Sequence, residues 1–159
     1  MSYRAYVITS SDSGYAGERE DISGPTARKM LEEAGYTIAG YALLPDDRKV
    51  LADKLREICD NGEADLLITT GGTGFSARDC MPEATADVSE RMVPGIPEAM
   101  RWYSLQITPR AMLSRAAAGI RKNTLIVNLP GSPKAVKENL GFILSSLDHA
   151  IEMMAGHGH

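Results

Sequence analysis

Leu66-Leu67-Ile68-Thr69 runs straight into Thr70-Gly71-Gly72-Thr73-Gly74, and that junction constrains the fold more than any other stretch. The run is too short for a helix and too apolar to leave one face in water, so it reads as a strand buried on both sides. Such a strand needs a layer of helices above and below it. The glycines end it at once.

Alternation along the chain extends this reading. Tyr3 to Thr9 is a β-rich run that empties into Ser10-Ser11-Asp12-Ser13-Gly14, and Tyr36 to Leu44 is a second strand. Between them Ser23, as N-cap with Pro25 in the first turn, opens a helical pattern of Ala27, Met30, Leu31 and Ala34 that Gly35 stops. Asp46 and Asp47 then open a helix whose apolar face is Val50, Leu51, Leu55, Ile58 and Cys59 and which ends at Gly62. Pro82 to Ile120 is helix-like, broken at Pro94-Gly95, Pro97 and Pro109; Thr124 to Asn128 is the last strand and Lys134 to Ala155 the last helix. The expected fold is therefore α/β: a three-layer sandwich with a mostly parallel central sheet flanked by helices, one domain over 1–159.

Composition excludes several classes. Lys and Arg number 17 against 21 Asp and Glu, a net charge of -4, so no broad positive field exists for a nucleic acid polymer. No run approaches the roughly 18 apolar residues of a membrane span. Cys59 and Cys80 form no C-x-x-C or Cys/His ligand pattern, and Cys59 fits a small core residue. A soluble protein of the cytoplasm is expected. Trp102, Tyr103, His149 and the Met153-Met154 pair read as helix packing, and His157-Gly158-His159 as a frayed tail.

In parallel sheets, ligands bind beyond the carboxyl ends of the strands. Every polar or glycine-rich cluster of this chain sits at such an end: Ser10 to Gly14, Pro45 to Arg48, Thr69 to Asp79 and Asn128 to Pro133. Three glycines among Gly71-Gly72-Thr73-Gly74 let backbone N–H groups approach an anion, with phosphate the obvious guest; a tight turn that binds nothing is the alternative. The loop is neither a Walker P-loop nor a G-x-G-x-x-G fingerprint. Asp46 and Asp79, on neighbouring strand ends, can share a Mg²⁺ bridged to phosphate, or each can serve as a helix cap or first-turn dipole partner. Arg78 adds a cation beside Asp79, and Ser114 with Arg115 is presented next to small residues. Asn128-Leu129-Pro130-Gly131-Ser132-Pro133 is a second rigid, anion-friendly turn.

Together these motifs resemble the MogA/MoaB family of molybdenum-cofactor biosynthesis, most closely its molybdopterin adenylyltransferases. The residues that carry the likeness are Ser11-Asp12 with Ala16-Gly17, Asp21-x-Ser23-Gly24-Pro25, Pro45-Asp46, Thr70-Gly71-Gly72-Thr73-Gly74, Arg78-Asp79-x-x-Pro82-Glu83-Ala84-Thr85, Leu113-Ser114-Arg115 and Asn128 to Pro133. The resemblance implies a molybdopterin-binding-like fold and transfer of AMP from Mg-ATP to the terminal phosphate of molybdopterin, with release of pyrophosphate. It implies that Asp46 and Asp79 are the essential acids and hold Mg²⁺. Substrate contacts are implied for Ser11, Asp12, Thr70, Gly71, Gly72, Thr73, Gly74, Arg78, Ser114, Arg115, Asn128, Pro130, Gly131 and Ser132, with Ser114 and Asn128 facing the pterin. It further implies a homotrimer and a separate MoeA-type molybdenum-insertion protein as partner. The alternative within the same resemblance is a non-catalytic molybdopterin carrier or scaffold of the MoaB type.

Overall fold

The computed structural model describes residues 2–156, so the reading of His157 and His159 lies outside the described residues. Six strands form one sheet in the order β2-β1-β3-β6-β5-β4. β1 (Arg4–Ser10), β2 (Thr37–Leu44), β3 (Leu66–Thr70) and β6 (Thr124–Leu129) run parallel. β5 (Ala118–Arg121) and the two-residue β4 (Arg91–Met92) extend the sheet antiparallel at one edge.

Side chains alternate between two cores, as the pleat requires. Ala5, Val7, Leu66, Ile68, Leu125 and Val127 point to one side. There they meet α2 (Ser23–Glu33), α5 (Gly95–Leu105) and α6 (Pro133–Met154). Tyr6, Ile8, Leu67 and Ile126 point to the other, against α3 (Arg48–Asp60) and α4 (Met81–Val88). This is the three-layer sandwich that the buried run Leu66 to Thr69 demands.

Several local expectations change. The polar stretch after β1 folds into one short turn of helix, α1 (Asp12–Tyr15), with Ser11 as its N-cap. Ser23 is not the cap of α2: its hydroxyl donates to the Gly131 carbonyl at 2.5 Å, and Asp21 Oδ1 takes the Gly24 N–H instead. Val50 is exposed and Ala52 takes its place on the buried face of α3, because the apolar stripe starts one residue later. Within Pro82 to Ile120 two short strands interrupt the helices, and Pro109–Leu113 is a 3₁₀ turn. Trp102 and Met153 are exposed rather than packed, although the Trp102 and Tyr103 rings both lie against Phe142.

What matters for function is where the parallel strands stop. Ser10 pairs with Leu44, Thr9 with Thr70, and Thr70 with Leu129, so four strands end in nearly one row. The chain leaves β1 toward β2 on one side and β3 on the other, which makes β1/β3 the switch point where a crevice opens.

Candidate active site

The turns beyond these ends lock into one another. Gly71 N–H donates to the Leu129 carbonyl at 3.2 Å, Met81 N–H to the Gly72 carbonyl at 3.1 Å, and Ser11 N–H to the Leu44 carbonyl at 2.9 Å. Gly71 has a φ of 85° and lies so close to the Ser10 carbonyl oxygen that a side chain has no room. A Cβ on Gly131 would in turn meet the Gly71 Cα at 3.2 Å. Glycine is needed here for close approach as much as for backbone freedom.

Two cavities flank these paired turns. One, of about 350 Å³, is walled mainly by residues with polar side chains or bare backbone, Thr9, Ser10, Ser11, Thr70, Gly71, Gly131 and Ser132, with Arg19, Glu20 and Asp21 at its margin. The other, of about 290 Å³, is largely apolar and is walled by Thr73, Gly74, Met100, Ser104, Leu113, Ser114 and Pro130. Nine of the residues expected to touch substrate, on four segments of chain, thus line one cavity or the other. Among the described residues the N–H groups of Gly72, Thr73 and Gly74 meet no acceptor, which leaves three donors for an anion. Ser11 and Ser132 each accept an N–H as a helix cap, from Gly14 and Ala135; the Ser132 hydroxyl proton remains to be donated, while the Ser11 hydroxyl also meets that of Ser13 at 3.4 Å.

The acids line neither cavity but stand at the rim: Asp46 bonds Ser10 of the first, and Asp79 Oδ2 would lie 3.0 Å from a Cβ on Gly74 of the second. Asp47, not Asp46, caps α3, taking the Val50 N–H at 3.0 Å. Asp46 is thereby left to accept from the Ser10 hydroxyl at 2.5 Å and from the Asp12 N–H at 3.0 Å. Asp12 returns the bond, accepting the Asp46 N–H at 2.9 Å, and takes both arms of Arg78 at 2.9 and 3.1 Å. The Arg78 guanidinium and, after it, the Asp46 N–H hold the Asp12 carboxyl below the ordinary aspartate range. Arg78 therefore links the Asp46 turn to the Asp79 turn. Asp79 does not cap α4 either: its Oδ2 takes the Ser76 N–H at 3.0 Å.

Two expected ligands have internal roles instead. Asn128 is fully buried; its amide donates to the Thr69 and Thr85 hydroxyls at 3.0 and 2.9 Å, and its carbonyl takes the Ala117 N–H at 3.1 Å. It faces protein on every side, and the expectation that it faces the pterin is corrected accordingly. Arg115 spends its guanidinium on Gly74, Asp79 and Glu83. Thr9, Ser104 and Asn139 are not singled out by the sequence, Thr9 because it reads as the tail of a strand, and Ser10 is placed in the polar cluster after that strand without being marked as a contact.

Among the described residues no group of three or more His, Cys, Asp or Glu is assembled to hold a metal. A cage made of protein ligands alone therefore does not fit. A Mg²⁺ that arrives with a nucleotide needs only one or two carboxylates, the rest being phosphate and water. Asp46 and Asp79 each keep lone pairs for that more modest demand, but they follow β2 and β3, which β1 separates, and the expectation of neighbouring strand ends is corrected accordingly.

Known proteins resemble this chain along most of its length. A family model described as a probable molybdopterin binding domain matches residues 6–149. A molybdopterin adenylyltransferase of Helicobacter pylori strain J99 is 39% identical over 155 residues, covering 95% of this chain and 87% of that protein. The molybdopterin adenylyltransferase of Escherichia coli K12 is 40% identical over 139 residues, covering 86% of this chain and 71% of that protein. Among solved structures, the molybdopterin biosynthesis enzyme MoaB of Thermus thermophilus superposes with a TM-score of 0.92 at 42% identity, covering 98% of each chain. With the glycine loop, the acid turns and the two cavities in place, the chain belongs to the MogA/MoaB family of molybdopterin-binding proteins of molybdenum-cofactor biosynthesis.

Proposed function

We propose that this protein is a molybdopterin adenylyltransferase, moving AMP from Mg-ATP onto the terminal phosphate of molybdopterin and releasing pyrophosphate. The observation that carries this reading is the shared wall: the turns at 70–74 and 130–133 separate a cavity walled by polar side chains and bare backbone from a largely apolar one. Joining two anionic substrates requires two adjoining sites and neutralisation of charge where they meet. Relatives at about 40% identity over most of the chain bear the name of this activity.

In this reading the free N–H groups of Gly72, Thr73 and Gly74 hold phosphate at the wall, with the Ser132 hydroxyl as a further donor. Asp46 and Asp79 would hold Mg²⁺ and align the reacting groups, while Arg78, paired with Asp12, offsets negative charge at the same rim. When bound, the ion offsets phosphate charge. Ser114 supplies a hydroxyl to the apolar cavity. The finer expectations from the family resemblance belong to the same proposal: a single molybdopterin-binding unit, a homotrimer, a cytoplasmic location and delivery of product to a MoeA-type metal-insertion protein. No helix among the described residues is long and apolar enough to cross a membrane.

A pyrophosphate-release assay that omits Mg²⁺, ATP and molybdopterin in turn tests the reaction class. Release that requires all three supports transfer; tight pterin binding with no pyrophosphate makes the protein a carrier.

A further inference from the structure

Arg115 is a strong cation beside the glycine loop whose charge is spent wholly within the protein. Its Nε donates to the Gly74 carbonyl at 2.8 Å and its Nη2 to the Asp79 carbonyl at 3.0 Å. The outer arms fork onto the Glu83 carboxylate at 2.6 and 3.3 Å. Its own N–H binds the Thr73 carbonyl at 2.8 Å. Gly74 and Asp79 are the two ends of an excursion in which Phe75, Ser76, Ala77 and Arg78 are all exposed. Within the excursion only a local Ser76–Asp79 turn is formed, and Arg78 reaches outward to Asp12.

A planar fork suits this task. Guanidinium can grip a carboxylate with two arms and still present Nε to another acceptor, whereas an ammonium is a point charge on a flexible stem. Glu83, in the first turn of α4, anchors the fork to the body of the protein, and its carboxyl is held low by the same contact.

We propose that Arg115 is a positioning residue that acts through Asp79: one guanidinium staples both ends of the 74–79 excursion and so fixes the Asp79 carboxylate against the glycine loop, without touching substrate. The inference rests on the transferase reading and deepens it. Loss of the staple leaves both substrate sites intact and lets the acid drift. A misplacement of about 1 Å near reacting groups is enough to cost on the order of 10²-fold in rate.

The test is a double-mutant cycle with Arg115→Lys, Asp79→Asn and the pair, reading kcat, KM for ATP, molybdopterin affinity by pterin fluorescence, and amide exchange. The expected result is a fall in kcat of roughly 10- to 100-fold for Arg115→Lys, with KM and molybdopterin affinity within about twofold. The double variant is then no more than about twofold slower than Asp79→Asn alone. The two bonded amides of the excursion, Ser76 and Asp79, exchange at least about tenfold faster while those of β3 do not change.

Multiplicative losses, or a tenfold loss of molybdopterin affinity in Arg115→Lys, overturn the proposal and leave the transferase reading standing. Full turnover in Asp79→Asn overturns the transferase role of Asp79 and the proposal with it. If Arg115→Lys does not fold, Glu83→Gln loosens the same fork while keeping both carbonyl bonds. A kcat loss that disappears on an Asp79→Asn background supports the staple, and unchanged kcat overturns it.

Discussion

Asp12 and Asp46 bind each other's backbone. The carboxylate of each accepts the N–H of the other, at 3.0 and 2.9 Å, across turns that follow two neighbouring parallel strands. Two acids are thereby held side by side, with repulsion relieved by Arg78 on one flank and the Ser10 hydroxyl on the other. Such an arrangement keeps negative charge fixed at a strand-end rim, where a metal-bound phosphate can meet it.

Asp46→Asn tests that role. Asparagine retains an acceptor for the Asp12 N–H, and Ser10 can turn its hydroxyl to accept, so the fold should hold. The denaturation midpoint is expected to stay near that of the parent. Pyrophosphate release should fall by at least about 100-fold, the scale of losing a key electrostatic group. Turnover within threefold of the parent removes Asp46 from the reaction.

The close approach of turns makes two glycine positions behave oppositely. In Gly71→Ala a positive φ and a carbonyl oxygen in the way combine, and a loss of about 2 kcal/mol or more is expected in urea unfolding. Gly95 starts α5 with open space where a Cβ would go. There Gly→Ala should gain about 0.5 kcal/mol by stiffening the unfolded chain. Equal effects at the two sites would contradict the packing described for the loop.

Asn128 gives the sharpest stability prediction. Asn128→Leu leaves the Ala117 N–H without its acceptor and strips the Thr69 and Thr85 hydroxyls of a donor inside the core. The expected cost is about 2–4 kcal/mol. Parental stability combined with lost pterin binding would restore the role of a ligand contact.

Alkaline pH should weaken the fold. Burial pushes the Cys59 thiol up to about 11, and burial together with a hydrogen bond to Asp21 pushes Tyr41 up to about 12. Burial also raises Tyr36, further helped by Asp148. In the unfolded chain these groups release protons near about 8.5 and 10. Above those values the folded state keeps protons that the unfolded state has lost, so unfolding becomes easier as pH rises. Their contribution is complete below about pH 8.5 and is lost on the way past about 12. Urea midpoints measured from neutral pH upward should decline across this window, and a flat profile would count against the burial of these side chains.

Much of the fold was legible because the parallel strands announce themselves. Leu66 to Thr70 is buried on both faces, and so reads as apolar throughout; Gly35 and Gly62 mark helix ends by their positive φ. β4 and β5 were not legible. Arg91-Met92 is too short to show a period, and the β5–β6 turn uses Lys122 at φ 50° where a glycine or asparagine would have signalled it. The site divides in the same way. Residues in loops, such as Ser11, Thr73 and Ser132, could be located from the ends of the strands. Whether a polar side chain turns outward or inward depends on partners distant in sequence. Asn128 meets Thr85 and Arg115 meets Glu83 across separations of 43 and 32 residues, and no local pattern encodes those encounters.

One site that joins two substrates under the control of the rim acids should pass label from ATP marked at its α-phosphorus to the pterin. Label is expected on molybdopterin in step with pyrophosphate, and Asp79→Asn should still bind the pterin but transfer almost none. Label recovered as free AMP with the pterin unmodified, or transfer unimpaired in that variant, would contradict such a site.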